Sequence, residues 1–447
     1  MSPLQSARAV LTGVMPVLAV LGALWPSLAG AVLPIEHWKT STGARVYFVN
    51  APSIPMLDLS LSFDAGGRYD PSAKDGLASL TNSMLAKGAA GLDENQIAER
   101  FANVGALRSE GAGDDRATVS LRTLSGQEEL GASLETLEIL LGRPSFPATV
   151  LAREKERLIQ ALREGQTKPS AIANRTFSAM LYGDHPYGRS ATPETVAAIE
   201  RQDLLRFWQA NYGASRAVVA MIGAISRQQA EQIAERLTRV LPVGETAPSV
   251  PAVISLKKSA EQRIENPSTQ SHILIGAPAV AWGDPDQFAL LVGNYVLGGG
   301  GFVSRLYNEV REKRGLAYSV YSYFSPSLQA GPFTVGLQTA REQTDVALGV
   351  VRETLTRFLT EGPTEQELAA AKANLVGGFA LRIDSNRKIL NYLSAIGVYD
   401  LPLDYLDRWT EKVSAVTLEQ VRAAFARHVQ LDALVTVVVG AGTPAAK

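Results

Sequence analysis

Cysteine is absent from this chain of 447 residues. A disulfide framework, a thiolate metal site and a cysteine nucleophile are therefore excluded. Histidine is nearly as scarce, and no two of its four positions have the spacing that places paired imidazoles on one helical face. A zinc site assembled from histidines distant in the sequence is the remaining alternative. The four are His37, His185, His272 and His428, and we expect His185 to hold a turn in a loop.

An excess of charge of either sign is also absent. The chain carries 43 basic and 44 acidic residues, and only 19% of its residues are charged. This balance gives no electrostatic basis for binding nucleic acid, so we expect a protein or peptide partner. The 46% of hydrophobic residues indicates a globular protein, and the length suffices for two or three domains.

The segment of residues 1–31 contains a single charge, Arg8. An apolar run follows from Ala9 to Trp25, and the triplet Ala29-Gly30-Ala31 has the small-x-small pattern of a cleavage site. Residues 1–31 therefore predict a secretory signal peptide that is cleaved near Ala31, which leaves no stable membrane anchor. A retained anchor helix is the alternative, but prolines interrupt the apolar run. We expect a periplasmic or otherwise secreted protein.

The chain repeats itself. Residues 199–223 match residues 416–440 with a constant offset of 217, and each copy reads as a short helix, a turn and an apolar strand that ends in glycine. Between the copies, residues 243–262 are rich in proline and lack helical periodicity, as expected of a linker. We therefore divide the mature chain into a domain of residues 32–242 and a second domain of residues 263–447.

Local patterns predict an α+β fold in both halves. Val46–Val49 and the alternating segment Leu57–Phe63 predict two strands, which we expect to form an antiparallel hairpin. Helices are expected from about Asp75 to Gly88 and from about Glu94 to Val104, because apolar residues recur there at helical spacing.

The segment from Gly76 to Gly88 has the frame of an inverted zinc-peptidase helix. Such a helix needs His-x-x-Glu-His, which supplies two imidazole ligands and a general base. Here the corresponding residues are Ser79, Asn82 and Ser83. Serine hydroxyls are poor zinc ligands and asparagine cannot accept a proton, so no zinc chemistry is expected. A polar helix face that never bound metal is the alternative, with the same consequence.

The flanks of this segment resemble those of the pitrilysin, insulysin and mitochondrial-processing-peptidase family. In that family the third metal ligand is a downstream glutamate that lies between another glutamate and a proline at fixed spacings. Glu154 and Pro169 match these two flanking residues, and the ligand position between them is Ala161. The resemblance therefore implies that all four catalytic positions are substituted and that this chain holds no metal.

A second resemblance to the same family lies between Arg311 and Tyr318. In that family an arginine and a tyrosine seven residues apart contact the substrate beside the scissile bond, which implies a catalytic role for this pair. The preceding glycines are not a phosphate loop, because no Gly-Lys-Ser or Gly-Lys-Thr follows. The resemblance favours a substrate-binding turn, although a purely structural role for these residues is the alternative. The glycines are Gly298, Gly299, Gly300 and Gly301.

The family resemblance covers nearly all of the mature chain. It implies two homologous halves, each an antiparallel sheet packed with helices, and two subunits that close like a clam shell. In some such pairs one subunit brings the zinc helix and the other brings the arginine and tyrosine. We therefore expect a zinc-free subunit that is inactive alone, with zinc in a homologous partner and a peptide as substrate. A catalytically inert scaffold or peptide-binding protein is the competing hypothesis, and an unrelated serine hydrolase lacks a plausible triad.

Overall fold

Residues 34–440 are described by a computed structural model, and they form two large sheets, one in each half. The expected signal peptide, residues 1–31, lies outside the described residues. Within the described part of the chain, no helix has the length and apolar character needed to span a bilayer.

The first half contains a six-stranded sheet in the order β1-β2-β8-β3-β7-β6, together with the two-stranded ladder β4-β5. Its strands are β1 (Glu36–Lys39), β2 (Arg45–Asn50), β3 (Met56–Phe63), β4 (Gly88–Ala89), β5 (Leu92–Asp93), β6 (Leu107–Ala112), β7 (Ala117–Leu124) and β8 (Val218–Gly223). Its helices are α1 (Leu77–Met84), α2 (Glu94–Ala102), α3 (Gln127–Gly142), α4 (Ala148–Gly165), α5 (Pro169–Tyr182), α6 (Pro193–Ala197), α7 (Arg201–Asn211) and α8 (Arg227–Arg239).

The second half contains a five-stranded sheet in the order β11-β12-β10-β13-β9. Its strands are β9 (Ala260–Glu265), β10 (Gln270–Val280), β11 (Ala317–Phe324), β12 (Gly331–Ala340) and β13 (Val435–Gly440). Its helices are α9 (Gln287–Asn294), α10 (Arg305–Tyr307), α11 (Thr344–Glu361), α12 (Glu365–Gly377), α13 (Asn386–Val398), α14 (Trp409–Ala415) and α15 (Leu418–His428).

The sequence repeat is a structural repeat. Helix α7 corresponds to α15 and strand β8 to β13, both with the offset of the sequence repeat at each end, and the short 3-10 turn between them is also matched. The first residues of α5 and α13 have the same offset. The expected α+β fold of two homologous halves is confirmed. Each sheet is mostly antiparallel but includes one parallel pair, β2 with β8 and β9 with β13.

The expected hairpin of β2 and β3 is wrong. Both strands form, but β8 lies between them, parallel to β2 and antiparallel to β3. This inserted strand of the first sheet therefore comes from a segment far downstream, beyond α7, which no local pattern could indicate.

The two halves exchange one helix each. In the first half, α1, α3, α7 and α8 pack on one face of the sheet, and the opposite face is covered by α13 of the second half. Reciprocally, α5 of the first half packs on the second sheet, where Phe177 and Leu181 belong to the same hydrophobic cluster as Val437. Burying both sheet faces in this way joins the two halves through hydrophobic clusters that contain residues of both.

The connection between the halves is extended and anchored. Residues 243–259 contain no helix or strand, and β9 begins at Ala260, so the last three positions of the expected linker lie in the second sheet. Val253 N–H donates to Gln329 Oε1 at 2.6 Å. The linker is therefore tied to the second half before its sheet begins.

His185 holds the loop after α5, as predicted. Its Nδ1 accepts a hydrogen bond from Tyr187 N–H at 3.1 Å, so its Nε2 carries the proton and donates to the Pro251 carbonyl at 2.9 Å. Burial lowers the pKa of His185, which favours this neutral form. One imidazole thus joins the loop to the linker.

We predict that Gly397 is required for the docking of α13. A Cβ at this position would lie 2.4 Å from Val218 Cγ1 and 2.7 Å from the Tyr47 ring. Gly397→Ala should therefore lower the free energy of unfolding by ~1–3 kcal/mol in denaturant titrations. The matched control is Gly349→Ala within α11, where nothing lies within 4 Å, and it should stabilise by ~0.5–1 kcal/mol. Equal effects of the two substitutions would contradict the prediction.

Candidate functional site

Helix α1 is anchored at its first turn. The Asp70 carboxylate accepts hydrogen bonds from the backbone N–H groups of Gly76 and Ala78, both at 2.8 Å. Gly76 has φ of +103°, a conformation that favours glycine. Asp70 is buried, and burial raises its pKa to about 6. The start of α1 is thus fixed by a buried carboxylate and a glycine.

The four substituted motif positions have different environments. Ser79 and Ser83 are exposed, one turn apart on α1, and Ser83 Oγ donates to the Leu80 carbonyl at 3.0 Å. Ala161 is exposed on α4. None of these three side chains offers the imidazole or carboxylate that zinc prefers. The positions that the resemblance assigns to a metal site therefore do not fit zinc.

Asn82 has a structural role that the sequence did not indicate. Only 1% of it is exposed, its Nδ2 donates to the Thr118 carbonyl at 3.2 Å, and its Oδ1 accepts from the Tyr212 hydroxyl at 3.1 Å. Tyr212 is itself fully buried. The residue at the general-base position is therefore part of the core and joins α1 to β7 and to the end of α7.

One group of possible metal ligands lies elsewhere in residues 34–440. It consists of Asp284, Asp286 and His428, whose ligand atoms lie within 4.8 Å of one another. However, both oxygens of Asp286 accept hydrogen bonds from Arg427, at 2.6 and 2.7 Å, and this arginine lowers the pKa of Asp286. His428 Nδ1 lies 2.8 Å from the Ala279 carbonyl. These contacts describe an ion-pair network that closes one end of α15.

Arg311 and Tyr318 are in contact. The Cζ of Arg311 lies 4.7 Å from the centroid of the Tyr318 ring and 4.9 Å from that of Tyr307. The guanidinium is therefore held between two aromatic rings, an arrangement that cation–π attraction favours. The structure brings together the two residues that the sequence singled out.

The turn between the helix and β11 produces this contact. Arg311 lies in a π-helical segment, Asn308–Glu312, and Gly315, with φ of +62°, donates its N–H to the Arg311 carbonyl at 2.8 Å. The register of β11 against β12 then shifts between Ala317 and Val320. Tyr318 lies in this bulge, and 82% of it is exposed. Bulges and π-helical turns often redirect side chains at functional sites.

The charge environment of Arg311 differs from that of its neighbours. Lys313 and Arg314 both pair with Glu309, at 2.9 and 2.7 Å. Arg311 forms no ion pair within the described residues, 34–440. Its guanidinium donors are therefore available to a ligand, whereas those of its neighbours are engaged.

The glycine run shapes this segment. A Cβ at Gly298 would lie 2.4 Å from Ser322 Oγ, so this residue allows the helix to approach β11 closely. Gly301 has φ of +61° and open space around it. The exposed Phe302 then packs edge-on against Tyr307, with ring centroids 4.9 Å apart. Gly298 therefore permits close packing against β11, and Gly301 permits a left-handed backbone conformation.

Tyr307 is the residue that sequence reasoning missed. It lies four positions before Arg311 and completes the aromatic pair around the guanidinium. The spacing of four residues, which places the two side chains on one helical face, was the available signal. An aromatic residue at this spacing is equally typical of a buried core position, so the signal did not single out Tyr307.

Two family models match the chain. One, described as insulinase (peptidase family M16), matches residues 45–193, and the other, described as the peptidase M16 inactive domain, matches residues 198–375. The crystal structure of a peptidase M16 inactive domain from Pseudomonas fluorescens has 38% sequence identity and a TM-score of 0.88, and the match covers 93% of this chain and 100% of that one. The chain belongs to peptidase family M16.

The M16 relatives carry contrasting descriptions. A Bacillus subtilis protein named uncharacterized zinc protease YmxG is 25% identical, over 87% of this chain and 94% of its own length. A Helicobacter pylori protein named non-peptidase homolog YmxG is 26% identical, over 86% and 89%. The periplasmic protease PqqL from Escherichia coli shares the fold, with a TM-score of 0.77 and 16% identity over 91% of this chain and 45% of that one. The resemblance is confirmed: this is an M16 chain whose zinc motif lacks its ligands.

We predict that three substitutions restore a metal site. The variant Ser79→His/Ser83→His/Ala161→Glu supplies the ligand types of the M16 motif and leaves the buried Asn82 unchanged. It should retain ~1 zinc per chain after dialysis, measured by elemental analysis, because two imidazoles and a carboxylate suit zinc. The unaltered chain should retain none.

The control is Ser79→His/Ser83→His with Ala161 retained, which should bind zinc more weakly. A triple variant that folds normally but binds no more zinc than this control would show that α4 does not place residue 161 near the two histidines.

Proposed function

We propose that this chain is the zinc-free subunit of an exported heterodimeric M16 metallopeptidase, and that it supplies Arg311 and Tyr318 to the site of a zinc-bearing partner. One observation carries the proposal. The Arg311 guanidinium is held between Tyr307 and Tyr318 and has no acidic partner within residues 34–440. Its neighbour Arg314, in contrast, is already paired with Glu309.

The chemistry of peptide hydrolysis suits this pair. Attack on the scissile carbonyl places negative charge on its oxygen, and donors already fixed around that oxygen stabilise the transition state. Arg311 offers a planar set of N–H donors, and Tyr318 offers a hydroxyl on a largely exposed ring. The aromatic sandwich limits the motion of the guanidinium, so less conformational entropy is lost when a substrate binds. The two side chains can therefore bind and orient a peptide carbonyl.

The remaining parts of the proposal concern partner, substrate and location. Because the M16 metal positions of this chain do not fit zinc, the metal belongs to the partner subunit. Unfolded peptides are the proposed substrates, bound by strand addition to a sheet edge of the partner, with the Gly298–Gly301 turn on the substrate side. The signal-like segment of residues 1–31 supports export, and the structural relative PqqL is described as periplasmic.

A second candidate is a non-enzymatic scaffold or peptide-binding protein of the same fold. The Helicobacter pylori relative described as a non-peptidase homolog favours it. A neighbouring reading frame that encodes an intact His-x-x-Glu-His would favour the subunit, and a chain that accelerates no partner would favour the scaffold.

We expect Arg311→Ala to reduce kcat/KM of the reconstituted pair by ~100-fold, because loss of one preorganised donor costs ~3 kcal/mol of transition-state stabilisation. Peptide hydrolysis by the co-purified complex is the measurement. The matched control is Arg314→Ala, whose guanidinium lies close by in the sequence but is already engaged by Glu309. The control should stay within about twofold of the unaltered complex. Equal rates for both variants would remove Arg311 from the site.

Tyr318→Phe tests the hydroxyl separately from the ring. The substitution keeps the aromatic contact with Arg311, so the guanidinium should stay in place while one donor is lost. We expect ~10-fold or greater loss of kcat with little change in KM if the hydroxyl acts in the transition state. Tyr323→Phe, an exposed tyrosine on the same strand, is the control. A loss confined to KM would instead indicate binding of the ground state.

A further inference from the structure

A cavity of about 310 Å³ lies where the two halves meet, away from the Arg311–Tyr318 contact. The first half contributes ends of β2, β3 and β8 with the adjoining loops, and the second half contributes Leu328, Val398 and Tyr399. The volume is at the lower end of the range for small-molecule sites. Its lining residues are Arg45, Ser62, Phe63, Asp64, Arg68, Asp115, Arg116, Ser215, Arg216, Val218, Leu328, Val398 and Tyr399.

The lining carries more positive than negative charge, with four arginines and two aspartates. Both aspartates are already engaged. Asp64 accepts from Arg68 at 2.5 Å and from Arg216 at 2.8 Å. Asp115 accepts from Arg68 at 3.0 Å and from the Leu328 N–H at 2.8 Å, and the Tyr187 hydroxyl donates to it as well. The excess positive charge therefore belongs to the other two arginines.

Arg45 and Arg116 are the arginines with little or no compensation. Within residues 34–440 Arg45 forms an ion pair only with Asp400, at 3.5 Å, and 90% of that aspartate side chain is exposed; its other polar contact is with the Tyr47 hydroxyl. The Arg116 guanidinium forms no hydrogen bond or ion pair in residues 34–440, and it lies over the Tyr399 ring, 5.4 Å from the centroid. Water screens the negative charge of the exposed Asp400 strongly. Asp400 therefore cancels little of the positive charge that Arg45 brings to the cavity.

Three buried donors of the lining have no partner in the described residues. They are Ser62 Oγ, Arg68 Nε and Arg116 Nη1. Ser62 is only 2% exposed, and the Arg68 side chain is only 7% exposed. Each buried donor without a partner costs about 1–3 kcal/mol, so a group of three around one cavity indicates that an acceptor binds there.

We propose that this cavity binds a small organic oxyanion, a carboxylate or phosphate attached to an aromatic or aliphatic body. The oxyanion accepts from Arg116, Arg45 and Ser62, because charged donors bind such oxygens strongly. The body packs against Val218, Val398 and the Tyr399 ring, which form the apolar part of the lining. Since these contacts come from both halves, the ligand stabilises their junction.

Thermal unfolding of the purified full chain tests the proposal. The probes are benzoate for the carboxylate, phenyl phosphate for the phosphate, and inorganic phosphate and chloride as anions without a body, all at constant ionic strength. We expect benzoate or phenyl phosphate to raise Tm in a saturable manner, by roughly 3 °C at about a hundred times Kd. The more effective of the two identifies the oxyanion. Equal shifts with chloride, or no saturable shift with any probe, would overturn the proposal.

Two variants locate the site. Arg116→Gln should weaken the Kd of the effective probe by about tenfold or more, because it removes the uncompensated charge. Ser62→Ala should weaken it by about fivefold, and it leaves the fold intact because it removes a donor that has no partner. The control is Arg100→Gln, which removes the same charge from an exposed arginine outside the cavity lining and should leave the Kd unchanged.

If Arg116→Gln does not fold, Ser62→Ala decides the outcome. A probe that binds this variant and the unaltered chain equally would mean that water alone satisfies these donors, and the assignment would be wrong. Inorganic phosphate that binds as tightly as phenyl phosphate would exclude the organic body.

Discussion

Each of the two sheets has buried side chains on both faces, and its own half supplies a helical layer for only one of them. The other face is covered by a single helix from the opposite half, α13 on the first sheet and α5 on the second. Neither half could leave this contact without exposing a sheet face to water, since burial of apolar area is the main favourable term in folding. The relative position of all sites in the chain depends on this exchange.

The rigid frame carries two very different local sites. Asp70, Gly76 and Asn82 hold α1 in place, while the two exposed positions of α1 that the resemblance assigns to metal binding carry hydroxyls. In the second half, the Arg311 guanidinium is ordered by aromatic rings but left without a counter-ion. The site on α1 keeps its supporting contacts but has no metal-ligating side chains. The Arg311 site has hydrogen-bond donors that no group of the described residues accepts from. A division of labour with a second subunit accounts for both under the proposed function.

Local sequence patterns predicted those elements whose formation depends mainly on residues close in the sequence. The α7–β8 repeat, the helix at Gly76 and the helix that begins at Glu94 followed from periodicity and turn residues. The β2–β3 hairpin failed because β8, a distant strand, is inserted between them. Burial of Asn82 and the role of Tyr307 were also invisible, since both depend on contacts made after the chain folds. The Arg311–Tyr318 pairing came from the family resemblance, and the π-helical turn gave it a physical cause.

The exchanged helices occupy equivalent places in the two copies, because α5 begins at Pro169 and α13 at Asn386, positions related by the offset of the whole repeat. A contact made twice by equivalent elements has the pseudo-two-fold symmetry of a homodimer whose identical subunits swap one helix. The chain therefore has the architecture of such a swapped dimer fused into one polypeptide. Residues 243–259 make the pairing intramolecular, so the second copy is present at a high effective concentration that does not depend on dilution.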